Sequence, residues 1–342
     1  MPRFIFIPSG TVVDNDFTFT VKTDNSGTST NTQFKLPLVI SFNGVTANID
    51  WGDGSTDSIT AYNQSEVTHT YSTSGTYEIK ISSALRGFVF NNGGDKLKIL
   101  NISNWGIFDF NESGVFNGCT NLNTTSTDTP IITMIDATNT FRNCTSLSNL
   151  DVSSWNVSSV TDMFVMFSGC TSLTSLNVSS WDVSNVVDMR FTFVNCTSLS
   201  SLSVGSWDVS NVLEMTRLFL NCRVLSTLDV TNWDTSSVTD MSLMFRDCDL
   251  FDYSLADWNI NNVTNFSSFM NLATGLSTSN YDATLVGWEA TLQAEFPSGT
   301  GYTPTISIDF GGSQYTSGGT ADTARQSLVS NFGWTITDGG SV

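Results

Sequence analysis

A 26-residue period runs through the middle of the chain and restricts it to architectures that stack one unit on the next. Six cysteines, Cys119, Cys144, Cys170, Cys196, Cys222 and Cys248, are separated by 25, 26, 26, 26 and 26 residues. Trp155, Trp181, Trp207, Trp233 and Trp258 keep the same step, and a Phe stands three residues before every cysteine, from Phe116 and Phe141 to Phe245. Residues 172–197 read SLTSLNVSSWDVSNVVDMRFTFVNCT. Leu173, Leu176 and Val178 supply a short apolar strand, and Trp181 and Val186 fill a turn. Met189, Phe193 and Cys196 have the spacing of one short helical turn. A lone unit cannot bury this apolar side, whereas stacked units bury it against each other. With parallel strands roughly 4.8 Å apart, about seven units make a rod on the order of 30 Å long.

The first unit begins near Leu97, where KLKILNISNWG aligns with SLTSLNVSSWD through Leu97, Leu100, Ile102 and Trp105. The second has Pro130 at the Trp position, and the last has Phe266 where earlier units carry Met. Irregular end units are expected, because they face solvent or another domain. The pattern L-x-x-L-x-V-x-x-W followed by D-M-x-x-M-F-x-x-C-x-x-L is sharpest over residues 147–250. It resembles the BspA-type leucine-rich repeats of bacterial surface proteins, and the likeness extends from about Leu97 to Leu276. That resemblance implies a right-handed leucine-rich-repeat-type solenoid with an adhesin's binding role, and it names no ligand.

The flanks have a different texture. FTFTVKT and TYEIKIS alternate as half-buried strands do. Between them lie IDWGDGSTD and VTHTYSTSGTY, whose Trp51, Gly52, Asp53, Gly54, Ser55, His69, Tyr71, Gly75 and Tyr77 resemble a PKD domain. The likeness implies an immunoglobulin-like β-sandwich used as a spacer or interaction module. After residue 276 the period ends. NYDATLVGWEA predicts a helix, TISIDFG a strand, TADTARQSLVSNFGW a helix closed by Gly333, and WTITDGG a last strand. BspA-type proteins often end in a similar pairing. The expected organisation is therefore mainly β: a PKD-like sandwich with an N-terminal extension over 1–90, a solenoid over 91–276, and a small α+β cap over 277–342.

Composition narrows the function classes. The 13 Lys and Arg face 32 Asp and Glu, a formal net charge of -19. Such a chain repels phosphate, which argues against nucleic acid and against anionic membrane surfaces as partners. No stretch approaches the roughly 20 apolar residues of a membrane span. The apolar run Phe4–Ile7 is too short for a signal-peptide core and stops at Pro8. Ordinary secretion is therefore not expected from the sequence, unless a leader has been removed.

Several residue columns invite a functional reading. The six cysteines read as a buried structural column, because side chains stacked in one direction suit neither a disulfide nor a tetrahedral zinc site. Asp136, Asp162, Asp188, Glu214 and Asp240 share one repeat position. A place at helix N-termini would offset their mutual repulsion, and calcium held between units by Asp162, Asp188, Glu214 and Asp240 is the sharper alternative. Apart from that calcium, no cofactor is expected. His69, the single histidine, reads as a packing residue, and Asp50, Asp53 and Asp57 as turn formers rather than a cation cluster. Sequons at Asn143 and Asn195 adjoin the cysteine column. No Ser/His/Asp, Walker, zinc-protease or dinucleotide signature occurs.

If Leu176 and Val178 point inward, Ser175 and Asn177 point outward. The equivalent pairs are Asn149 with Asp151, Ser201 with Ser203, and Thr227 with Asp229. Together they form a hydrogen-bonding strip without Lys or a large aromatic. The resulting expectation is a non-enzymatic phage structural or adhesion protein on the virion surface. It would be anchored to other virion or surface proteins through residues 1–90 and would offer the strip to a host-surface glycan or protein. A bacterial cell-surface adhesin and, more distantly, a glycan-active enzyme are the alternatives.

Overall fold

The computed structural model describes residues 15–342. The N-terminal extension MPRFIFIPSG, part of the expected anchoring region, lies outside the described residues. The chain is mainly β, with two α-helices among the described residues and no closed barrel.

The N-terminal strands are β1 (Phe17–Lys22), β2 (Gln33–Lys35), β3 (Ala47–Asp50), β4 (Thr56–Ile59), β5 (Thr68–Thr70) and β6 (Thr76–Ser82). They are followed by β7 (Ile99–Asn104), β8 (Asp109–Phe110), β9 (Asn123–Thr124) and β10 (Ile131–Ile132). One six-stranded sheet has the order β4-β3-β6-β1-β7-β9, and β2 pairs with β5 separately. β1 lies between β6 and β7, antiparallel to both, so Phe17, Thr18 and Phe19 are all buried rather than alternating. β7 then pairs in parallel with β9. The N-terminal sheet and the first strands of the repeat thus share one hydrogen-bonded ladder. Pairing with β1 sets Ile102 opposite Phe19 and Ile99 opposite Val21. Ile99 and Ile102 are therefore the buried residues here, while Leu97 and Leu100 of the sequence alignment are only half-buried.

A polar lock holds this junction. Asp95 is buried and accepts the backbone N–H groups of Thr28, Ser29 and Lys35. Lys98 is buried beside it, and its Nζ donates to the Ser29, Thr30 and Gln33 carbonyls at 3.2, 2.8 and 2.8 Å. Burial lowers the Lys98 pKa, and this ring of oxygens keeps the ammonium hydrogen-bonded.

From residue 136 to 276 consecutive units lie in parallel register. Bridges link Asp136 to Asp162, Asp188, Glu214, Asp240 and Asn265 in turn. In each unit the eight residues after the acid follow one scheme. Alternate N–H groups donate to the next unit: Met163, Val165, Phe167 and Gly169 bond the Asp188, Arg190, Thr192 and Val194 carbonyls at 2.8–3.1 Å. The intervening Met166, Ser168 and Cys170 bond the carbonyl three residues back within their own unit. The helical turn predicted over Met189–Cys196 is therefore a run of turns. It cannot be a helix because two residues per unit take left-handed backbone, Phe191 at φ 60° and Asn195 at φ 60° in this one.

The apolar columns run inside this frame. Phe141, Phe167, Phe193, Phe219 and Phe245 stack with centroids 5.6–5.8 Å apart. Trp181, Trp207, Trp233 and Trp258 stack within 5° of parallel at 6.2–6.3 Å. All six cysteines are free and buried. Each thiol from Cys144 to Cys248 donates to the carbonyl of the preceding unit's Phe, as Cys196 does to Phe167 at 3.2 Å. Two further strand pieces, β11 (Ser175–Leu176) and β12 (Ser201–Leu202), pair in parallel.

The C-terminal segment forms α1 (Thr278–Glu295), β13 (Ser307–Asp309), α2 (Thr320–Ser330) and β14 (Thr335–Thr337), matching the order expected. It packs on the last unit. Met270 N–H bonds the Asp309 carbonyl at 2.7 Å, and Phe266 meets both Trp288 and Trp334. Trp288 continues the tryptophan scheme from a helix, its indole N–H donating to Leu255 O at 2.7 Å.

Two measurements test this packing. Gly287→Ala in α1 would gain roughly 1 kcal/mol of helix propensity at an open site. Here the added methyl would collide with the Ala256 carbonyl oxygen, so a lowered melting temperature is expected, and a raised one would refute the close docking. Burial pushes every repeat thiol up, Cys196 to about 12. Native protein at pH 8 should thus resist iodoacetamide and take up six adducts only after denaturation. Rapid native labelling of several thiols would overturn the column.

Candidate functional site

The outward strip lies where the alternation places it. Asn149, Asp151, Ser175, Asn177, Ser203, Thr227 and Asp229 are exposed and Ser201 is half-buried, while Leu176 and Leu202 point inward. Ser175 pairs with Ser201, and Ser201 with Thr227, so the strip keeps the inter-strand register. Part of it is committed to turns. Asp151, Asn177 and Asp229 accept the N–H groups of Ser153, Ser179 and Thr231 at 3.0, 3.3 and 3.0 Å. The serine and threonine hydroxyls at 175, 203 and 227 are its freer donors.

The acidic ladder differs from both sequence readings of it. No helix follows these carboxylates. Asp136, Asp162, Asp188 and Asp240 each accept the N–H two residues on, at 2.7–2.8 Å, and so cap a turn. Among the described residues no three His, Cys, Asp or Glu side chains converge on a metal position, so Asp162, Asp188, Glu214 and Asp240 form no calcium cage. Stacking still perturbs them. Burial, with the neighbouring Asp188 and Asp136, raises the Asp162 pKa. Burial also opposes the charge on Asp240, but hydrogen bonds from Ser242 and Asn265 outweigh it and the pKa falls. Asp188 is held by Arg190, whose Nε lies 2.9 Å from Oδ2.

Sequence reasoning missed the side chains beyond this ladder. Phe164 and Phe191 are half-buried, edge to face, with centroids 5.6 Å apart. Arg190 covers the Phe164 ring and Arg217 the Phe191 ring, both at 5.1 Å. Between Lys98 and Arg325 the chain has five basic residues, Arg142, Arg190, Arg217, Arg223 and Arg246. All five lie on or just beyond the turn run that follows the acids. The signal was present: bulky Phe, Arg and Leu occupy a left-handed position where Asn139 and Ser268 stand in the end units.

On the tryptophan side, Trp181, Trp207, Trp233 and Trp258 donate to the Val152, Val178, Val204 and Val230 carbonyls at 2.9–3.0 Å. Trp155 does not join them. Its buried indole N–H lacks a protein partner, and its ring lies edge-on to Trp105. Pro130 in the preceding unit offers no indole to stack on. A shallow depression of about 240 Å³ beside it is lined by Ser153, Ser154, Asn156, Ser180 and Asp182.

In the N-terminal sheet His69 stacks on Trp51 at 4.7 Å, and its Nε2 lies 2.9 Å from Asp53 Oδ2. Asp50 and Asp53 accept turn N–H groups from Gly52 and Ser55, and Asp57 accepts the Trp51 indole N–H. The triad of acids is thus a set of turn anchors.

Residues 110–224 and 188–291 match the family described as "Mycoplasma protein of unknown function, DUF285". The two matches together span more than half of the chain, and the chain belongs to that family. No curated protein and no solved structure matches it.

The Asp53–His69 contact gives a pH prediction. Burial raises the Asp53 pKa, but the Ser55 and His69 hydrogen bonds prevail and bring it down to about 2. A folded pKa below the unfolded value of about 4 stabilises the protein above that value, and this contribution disappears as pH falls through 2. Asp53→Asn should therefore melt lower than the parent at pH 7, with the gap closing between pH 4 and pH 2. A gap that does not depend on pH would refute the contact.

Proposed function

We propose that the chain is a non-enzymatic, surface-exposed binding protein carried on a phage virion. In this reading the N-terminal strands form a PKD-like, immunoglobulin-like β-sandwich. The units from residue 91 to 276 form a right-handed leucine-rich-repeat-type solenoid of about seven coils, closed by the cap over 277–342. The N-terminal region attaches to other virion or surface proteins, and the solenoid presents its flank to a host-surface glycan or protein.

One observation carries the reading: short hydrogen-bonding side chains, exposed or half-buried, recur at the same position of successive units, with Ser175, Ser201 and Thr227 in strand register. A partner with a repeating polar surface can meet such a row at many points, each weak alone and additive along the row. No helix among the described residues is long and apolar enough to cross a membrane. The family description names a bacterial genus, and that favours the second reading, a bacterial cell-surface adhesin.

The test is adsorption to host cells after Ser175→Lys, Ser203→Lys and Thr227→Lys are combined. All three sites are exposed and none carries a turn cap. Adsorption is expected to fall at least tenfold with the melting temperature held. Unchanged adsorption by the folded triple variant would overturn the strip as the binding surface.

A further inference from the structure

We infer that the face carrying the acidic ladder and the arginines is a self-complementary interface for a second copy of this chain. Three observations converge on it. The residue before each ladder acid forms its own column, joined by bonds such as Val187 N–H to Thr161 O and Leu213 N–H to Val187 O. Ile135, Val187 and Leu213 in this column are 62, 40 and 44% exposed. Isolated exposed aliphatics are ordinary, but Val187 and Leu213 are neighbours in the column, separated from Ile135 by Thr161, and with half-buried Phe164 and Phe191 they make a patch.

Charge then selects the occupant. The chain carries a net charge of -19, and from residue 99 to 324 every basic residue lies on or beside this face. The charged residues on the strip and tryptophan sides of the repeat are acids, so two copies repel through them. On the ladder face both signs occur, the acids in register and the arginines at differing positions of their units. Among the described residues Asp188 is the one ladder acid in an ion pair, while Asp162, Glu214 and Arg217 have none. Burial and the adjacent carboxylates already disfavour the charge on Asp162. A two-fold related copy brings Arg217 of each chain toward the acidic column of the other and buries the aliphatic rows together. Mixed aromatic, aliphatic and arginine side chains are also the composition that interface cores favour. A two-fold axis is the commonest closed arrangement for identical chains. A polyanion would meet the acidic column without such compensation, and a basic partner would meet the arginines.

Sedimentation equilibrium of the whole chain at about 0.15 M salt, where the screening length is about 8 Å, tests the inference. The parent is expected to dimerise. Leu213→Glu and Arg217→Glu should each raise the dimer dissociation constant at least tenfold, while Ser203→Lys on the strip leaves it unchanged. Val187→Lys serves as an independent variant on the same row, and far-ultraviolet circular dichroism checks that each variant folds. A parent that stays monomeric at all concentrations, or a dimer weakened by Ser203→Lys and not by Leu213→Glu, would overturn it. Host adsorption is not part of the readout, so this outcome is separate from that of the strip.

Discussion

The structure depends on how the turn run after each ladder acid satisfies its backbone. In an ordinary parallel strand, N–H groups point alternately to both neighbours. Here alternate N–H groups all donate to the next unit, and the remainder close turns within their own unit. That arrangement needs left-handed residues at fixed places, found at 139, 165, 191, 217, 243 and 268 and again at 143, 195, 221, 247 and 272, with Gly169 completing the second row. A non-glycine residue there costs on the order of 1 kcal/mol, least for Asn and Asp. The second row is mostly Asn, Gly and Asp, which explains why Asn143 and Asn195 precede cysteines. A sequon at these positions is a by-product of backbone geometry.

The side-chain columns follow from that frame. Each Phe carbonyl from Phe116 to Phe219 accepts the Cys N–H of its own unit and the Cys thiol of the next, using both lone pairs. Cysteine suits the position because it is small enough for the stacked interior and still offers a weak donor. The tryptophans obey the same logic at larger scale. Each fills the turn with its ring and satisfies a carbonyl of the preceding unit. The orphan indole of Trp155 marks where the pattern begins, against a unit with Pro130 in place of an indole.

Much of this was legible because repetition amplifies weak signals. The buried Cys, Phe, Trp and Leu columns and the C-terminal order of helix, strand, helix and strand all follow from spacing and pattern. The turn run was misjudged as helical because Met189, Phe193 and Cys196 recur at intervals of four and three, a spacing that alternating right- and left-handed residues also produce. Periodicity alone cannot separate these cases, whereas the Asn, Gly and Asp row can. The ladder acids were misplaced for the same reason, since their capped N–H groups belong to a turn and not to a helix. Leu97 and Leu100 were misaligned because the register of β7 is set by a distant strand, β1, through pairing that no local pattern encodes. The Arg190–Phe164 and Arg217–Phe191 pairs escaped notice because they interrupt the repeat instead of obeying it.

Both ends of the stack are covered among the described residues. β1 lies against β7 at one end, as an additional strand would. At the other, Trp288 and Phe310 take up the aromatic contacts of the last unit, and Met270 donates to Asp309. A stack with open ends would present unpaired N–H and C=O groups and grow by addition. Between these ends, the flanks are the surfaces that the repeat itself offers. The two flanks differ in kind. The strip offers hydroxyls at a fixed inter-strand spacing and no cation, which suits a neutral polar partner that can be met at many weak points. The ladder face holds both signs of charge and the aligned aliphatic row, which suits a copy of itself. A dimer through the ladder face would leave two strips facing solvent, and under the proposed binding role two-point attachment would then strengthen contact without any new residue at the strip.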